Sequence, residues 1–251
     1  MSKALIFDMD GTLTQPRKTI SDEVAHQLRR ITSTHKMYLV TGSEYAKVEQ
    51  QLGADLILRV FDKVFCCNGT VVYNTNLDLD AEGVSFEPEM IHQVDLTDHY
   101  SQADINHIIS VLLKYAAKNH TRYKTGTFVE WRRSQINFSL IGRDCTTDQR
   151  EDYAKWDKKS GDRDKAIEFF EREFKGYGLC FRKGGQISID ITRAGWDKTY
   201  AFENIAEKPD KCVFFGDNII PYGNDWEIAA KCGKHYVVRN PLHLLEILKT
   251  Y

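Results

Sequence analysis

No apolar run in these 251 residues approaches the roughly 18 that a membrane span needs, so no transmembrane helix is expected. The chain enters a strand by Ala4 without a signal-peptide pattern, and the expectation is a cytoplasmic protein. Neither charge is in excess: 34 Lys and Arg against 36 Asp and Glu give a net charge of -2. No global field therefore recruits nucleic acid or an acidic membrane surface, and any anion site has to be local. Cysteine is sparse and scattered, at Cys66, Cys67, Cys145, Cys180, Cys212 and Cys232, without the C-x-x-C spacing of a zinc site or the density of a disulfide scaffold. These read as reduced core thiols, and nothing basic adjoins the vicinal Cys66-Cys67 pair to stabilise a thiolate. Repeats and low-complexity linkers are missing too. What remains is a globular composition, 42% hydrophobic and 28% charged, long enough for one large domain or a core with a smaller insertion.

Ala4-Leu5-Ile6-Phe7 is a continuous apolar run ending at Asp8, the pattern of a central parallel strand buried on both faces. Ser21-Asp22-Glu23 supplies an N-cap and an acidic first turn for an amphipathic helix reaching about Thr32. A second buried strand over 37–40 ends at Thr41-Gly42-Ser43, a helix over 44–52 stops at Gly53, and a third strand covers 63–65. This alternation predicts a doubly wound α/β sheet. After about Val84 the rhythm changes. A helix over 103–118 precedes a hairpin, with strands over 127–132 and 135–141 around Arg133-Ser134. A charged helical stretch over 148–174 breaks near Ser160-Gly161, and 186–191 is a strand of strict period two. The α/β rhythm returns with a helix beginning near Asp197-Lys198 and a buried strand over 212–215. Residues 1–84 and 192–251 are thus expected to form a Rossmann-like core, and 85–191 an inserted α+β module with an antiparallel sheet.

The chemistry concentrates in Asp8-Met9-Asp10-Gly11-Thr12. Carboxylates two apart on a strand lie on one face, and at a strand end Gly11 permits a turn that lets both address one cavity. Asp8 can then attack a phosphoryl group while Asp10 serves as general acid and base, with a cation to offset the repulsion between two anions. The plainer reading is two aspartates capping a turn.

Asp8-Met9-Asp10-Gly11-Thr12 resembles the first motif of the haloacid dehalogenase superfamily, and counterparts of the other three follow in order. The resemblance implies that Ser43, in Thr41-Gly42-Ser43, hydrogen-bonds the transferring phosphate. It implies that Lys198 neutralises that phosphate and orients Asp8, and that Asp217 joins the Asp8 carboxylate and the Asp10 carbonyl in holding Mg²⁺. Asp225 is expected behind these groups, bracing the loop. The insertion is similar to the cap of the phosphomannomutase family of this superfamily, a C2-type cap. The likeness runs through 126–132, then Asn137 and 141–143 to Arg150, and on through 184–190 and 195–198. It implies that Arg132, Arg143 and Arg150, with Arg17 from the core, hold the phosphate that is not being transferred. Residue chemistry agrees, since several guanidiniums grip one dianion through directed donors, although an exposed Arg is as often a solvated ion-pair partner. Ser188 and Asp190 share one side of their strand, opposite Ile187, Ile189 and Ile191, and that side can bind sugar hydroxyls.

The implied reaction interconverts mannose 6-phosphate and mannose 1-phosphate for GDP-mannose synthesis, with glucose phosphates as further substrates. It uses Mg²⁺, a hexose 1,6-bisphosphate activator, a phospho-Asp8 intermediate, and a homodimer formed through the cap. Two rivals stay open. Thr41 stands where this family has a glycine, a choice typical of the superfamily's phosphatases, so a sugar-phosphate phosphatase competes. A non-catalytic phosphosugar-binding protein is the other, and it would be favoured by loss of Asp8, Asp10, Lys198 or Asp217, all of which are present. Lys231 replaces the acidic residue with which some relatives bind a second cation, and 218–222 departs from the usual loop of the fourth motif.

Overall fold

The computed structural model describes residues 4–76, 87–221 and 223–251. The expected boundary near residue 84 and the last residue of the 218–222 loop lie outside the described residues. The chain divides into two compact units, residues 1–93 with 195–251, and 94–194.

In chain order the first unit contributes β1 (Ala4–Phe7), α1 (Asp22–Ile31), β2 (Lys36–Val40), α2 (Tyr45–Leu52), α3 (Ala54–Val60), β3 (Lys63–Cys66), β4 (Val71–Asn74) and β5 (Glu89–Gln93). The second unit contributes α4 (Gln102–Lys118), β6 (Val129–Trp131), β7 (Gln135–Ser139), α5 (Thr147–Ser160), α6 (Asp162–Glu173), β8 (Leu179–Gly184) and β9 (Ser188–Arg193). The chain then returns to the first unit with β10 (Cys212–Gly216), α7 (Trp226–Lys231), β11 (Lys234–Val237) and α8 (Pro241–Leu248).

The core sheet has the order β11-β10-β1-β2-β3-β4-β5. Strands β11, β10, β1, β2 and β3 pair in parallel, while β4 and β5 pair antiparallel. All four residues of β1 are fully buried. Leu5 and Phe7 pack among α1, α2, α3 and α8, whereas Ala4 and Ile6 pack on the other face with Ile228 and Ala229 of α7. Burial on both faces is why this run carries no polar alternation. Phe7 stacks on Phe215 at 4.6 Å between ring centroids, and each such buried ring contributes about 1.5–3 kcal/mol.

Three differences from the sequence reading bear on how this unit is built. Residues 89–93, expected in the insertion, pair with β4 at the edge of the core sheet. The expected helix at Lys198 is a short 3-10 helix, Lys198–Glu203, with the Asp197 side chain accepting from Thr199 N. Gly53, expected to stop a helix, does so at φ +78° and also opens α3, a helix the sequence reading did not assign.

The second unit carries an antiparallel sheet of order β6-β7-β9-β8. Its apolar face presents Ile136, Phe138, Phe181, Ile189 and Ile191, all buried, and Phe170 of α6 and Phe174 just after it stack against Phe181. Ser101 and Thr146 close capping boxes on α4 and α5, and Gly161 at φ +63° separates α5 from α6 near the expected break. Strand β8 was not legible, because Leu179-Cys180-Phe181-Arg182-Lys183-Gly184 pairs through its backbone with β9 while lacking a clean period.

Candidate active site

Parallel pairing brings the carboxyl ends of β1, β2 and β10 to one edge of the core sheet, where ligand sites of such sheets form. Asp8 follows β1 and its N–H donates to Phe215 O at 2.9 Å, so the strand pairing itself fixes its position beside the Gly216-Asp217 loop. The chain then folds back on itself: Leu13 N and Thr14 N both donate to Met9 O, at 2.9 and 3.0 Å. Gly11 stands at φ +93°, and a Cβ there would lie 2.4 Å from the Asp217 carboxylate. Only glycine allows both this turn and that approach.

Asp8 is buried and receives Lys198 Nζ at 2.5 Å, while the same ammonium reaches Asp225 at 2.6 Å. Asp225 is fully buried and its other oxygen accepts from Asn218 N at 3.1 Å, so it braces the loop as expected. Carboxylate oxygens of Asp8, Asp217 and Asp225 all lie within 4.8 Å of one another. Burial pushes the Asp8 carboxyl up to about 7 against the pull of Lys198, with Asp225 and Asp217 adding repulsion. Burial, then Asp225, lifts Asp217 to about 6. Burial by itself would lower Lys198, but Asp225 and Asp8 overcome it and hold the ammonium above its ordinary value.

The Asp10 carboxylate turns away from this trio. Its Oδ2 accepts from Lys47 Nζ at 2.5 Å and Ser43 Oγ at 3.3 Å, and its Oδ1 accepts from Gln51 at 3.2 Å. Lys47 and Gln51 were not singled out from the sequence. A signal was available: Lys47 and Gln51 stand four residues apart, on one side of α2, and Ser43 lies four residues before Lys47, just ahead of the helix. Thr41 is buried and its hydroxyl accepts from Ser43 N at 3.1 Å, bracing the loop. Arg17 is exposed in the turn after the motif at φ +64°, an unusual conformation for a residue with a Cβ.

In the second unit, the polar face of the sheet gathers several expected residues. Arg132 and Arg143 share the Glu130 carboxylate, at 2.7 and 2.8 Å. Arg143 also donates to Asn137 Oδ1 at 2.6 Å and to Ser188 Oγ at 3.4 Å, and Asn137 Nδ2 donates to Asp190 at 2.5 Å. Burial raises the Asp190 carboxyl above its ordinary range, against the opposing pull of Asn137 and the nearby arginines. Gly184, which pairs with Ser188 on the neighbouring strand, is required beside it, because a Cβ there would meet the Asp190 carboxylate. Arg150 sits in the first turns of α5, half-buried. Glu130 and Asn137 lay within a recognised motif but had no role assigned, since their contacts cross from one strand to the next.

A family profile described as eukaryotic phosphomannomutase matches residues 24–249. The chain belongs to the eukaryotic phosphomannomutase family. Phosphomannomutase 2 of Dictyostelium discoideum is 34% identical over 98% of this chain and 95% of its own length. Phosphomannomutase 1 of Homo sapiens is 37% identical over 90% and 82%. Among solved structures, a haloacid dehalogenase-like hydrolase from Bacteroides thetaiotaomicron has a TM-score of 0.60 at 12% identity, covering 100% of this chain and 99% of its own. A trehalose-6-phosphate phosphatase related protein has a TM-score of 0.54 at 15% identity, over 98% and 96%. These two likenesses speak for the fold alone, an α/β core with a separate antiparallel cap sheet.

The donor set fits Mg²⁺. Three carboxylates face one ammonium, leaving two formal negative charges for a dication to balance, and all the donors are hard oxygens. The Asp10 side chain is not among them, so any part it takes is through its main-chain carbonyl. Burial holds the Cys66 thiol well above its ordinary value, which keeps it protonated rather than reactive. No helix among the described residues is long and apolar enough to cross a membrane.

Proposed function

We propose that this chain interconverts mannose 6-phosphate and mannose 1-phosphate by shuttling a phosphoryl group through Asp8. A bisphosphorylated hexose transfers one phosphate to the Asp8 carboxylate, and the sugar oxygen leaves as a hydroxyl with a proton from Asp10. A monophosphate then presents its free hydroxyl, Asp10 takes the proton, and the sugar oxygen displaces Asp8 from phosphorus. The bisphosphate is regenerated and the isomer is released, so hexose 1,6-bisphosphate acts as activator. Lys198 offsets charge on the transferring group, and Ser43 donates to it. Bound Mg²⁺, held by Asp8, Asp217 and the Asp10 carbonyl with Asp225 adjoining, supplies charge neutralisation between carboxylate and phosphoryl group. Arg17, Arg132, Arg143 and Arg150 take the phosphate that stays, and Ser188 and Asp190 take sugar hydroxyls. A homodimer formed through the cap completes this reading, and sedimentation velocity should show twice the 29.0 kDa chain mass.

The observation that carries the proposal is the buried Asp8 beside a buried lysine and two further carboxylates, in a chain of this family. Mannose 1-phosphate, Mg²⁺ and a trace of hexose bisphosphate should yield mannose 6-phosphate. Dominant release of inorganic phosphate would instead establish a phosphatase. The Thr41 hydroxyl, which prompted that rival, is engaged with Ser43 N and is accounted for as a loop brace.

A further inference from the structure

Glu130 places one carboxylate oxygen where two guanidiniums converge. Its Oε2 accepts from Arg132 Nη2 at 2.7 Å and from Arg143 Nε at 2.8 Å. The two arginine side chains are only 12% and 26% exposed, and Glu130 is 34% exposed. A strand neighbour two residues from Arg132 could make an ordinary surface pair with it. Here the same oxygen also draws in Arg143, from the segment beyond β7, in partly desolvated surroundings where charge is felt more strongly. An oxygen shared by two guanidiniums occupies the position that a phosphate oxygen takes in an arginine-lined site. Arg132 Nε is buried without a hydrogen-bond partner among the described residues, so a directed donor is left that the internal carboxylate does not satisfy.

We propose that Glu130 is a built-in counter-anion: it holds Arg132 and Arg143 in place and weakens their grip on the phosphate that stays, so that the bisphosphate exchanges rapidly. This rests on the reading of those arginines as the distal phosphate site. Two guanidiniums and one carboxylate carry one net positive charge where the arginines alone would carry two. A phosphotransferase that must release a bisphosphate and take it back with the other end towards Asp8 gains nothing from maximal affinity at the distal site. A neutral amide in place of Glu130 would still accept hydrogen bonds from the arginines, yet it would remove the opposing charge.

The test uses the full chain carrying Asp8→Ala, so that ligand is not turned over, titrated calorimetrically with mannose 6-phosphate in Mg²⁺. Arg143→Ala on this background should weaken binding at least about tenfold. Glu130→Gln should tighten it by roughly fivefold to tenfold, and Glu130→Ala should tighten it as well. With Asp8 restored, Glu130→Gln should lower KM and kcat together, the mark of slowed release rather than of a damaged fold. Unchanged affinity in Arg143→Ala would remove the distal site itself and this inference with it. Weakened binding in Arg143→Ala without tightening in either Glu130 variant would overturn the counter-anion alone.

Discussion

Asp8 shows how one side chain is set by its surroundings. An aspartate at a strand end is ordinarily a solvated acid, but here burial opposes its charge, and a single ammonium shared with Asp225 only partly compensates. Asp8→Ala should abolish turnover while leaving sugar-phosphate binding largely intact, as read by calorimetry beside a mutase assay. Retained turnover would rule out covalent transfer. The raised carboxyl also links metal to protons. In the metal-free chain Asp8 carries a proton below about 7, and that proton must leave before the carboxylate can ligate. Mg²⁺ affinity should therefore fall as pH drops below about 7 and level off above it. Proton release on binding should grow over the same interval, measurable by titration in two buffers of different ionisation enthalpy. The sign follows from the upward shift; a carboxyl held low would show no such dependence near neutrality.

Among elements, the β8–β9 turn shows how the cap presents Ser188. Arg163 at the start of α6 donates to Asp157 of α5 at 2.8 Å, and to the carbonyls of Gly185 and Ser188 at 2.9 and 3.1 Å. Asp157 is 2% exposed, so Arg163→Ala would leave a buried carboxylate without its cation, held only by the backbone N–H of residue 163, and free the turn at once. We expect a loss of about 3–5 kcal/mol in cap stability. Amide exchange should rise first at residues 185–188, and KM for the sugar phosphate should increase with it. Exchange unchanged at that turn would show that Arg163 serves α5 alone. The strand that follows the turn was readable from Ser188 and Asp190 alternating with isoleucines. The strap that holds it was not, because Arg163 lies 25 residues from Ser188 in an apparently ordinary charged helix.

At the scale of the whole molecule, the two compact units differ in continuity: one is assembled from residues 1–93 and 195–251, the other from 94–194. Residues 94–194 are contiguous and enclose their own buried set, including Ile108, Leu112, Phe138, Phe170, Phe181 and Ile191. The segment expressed alone should fold, giving a cooperative thermal transition and dispersed amide resonances. A featureless melt would show that the insertion depends on its host.

The sequence by itself determined four of the core strands, those over 4–7, 37–40, 63–65 and 212–215, the presence of an inserted module, and Asp8, Asp10, Lys198 and Asp217 at strand ends or helix starts. Each of these is recorded locally, in an apolar run or a short motif whose register the chain cannot easily change. Tertiary structure alone decided that residues 89–93 extend the core sheet, that Lys47 and Gln51 hold Asp10, and that Glu130 and Asn137 join the arginines to Asp190. Those relations are contacts between residues on separate elements, so their energies depend on where backbones cross in space. A local pattern can put Lys47 and Gln51 on one side of a helix, but it does not say what that side meets.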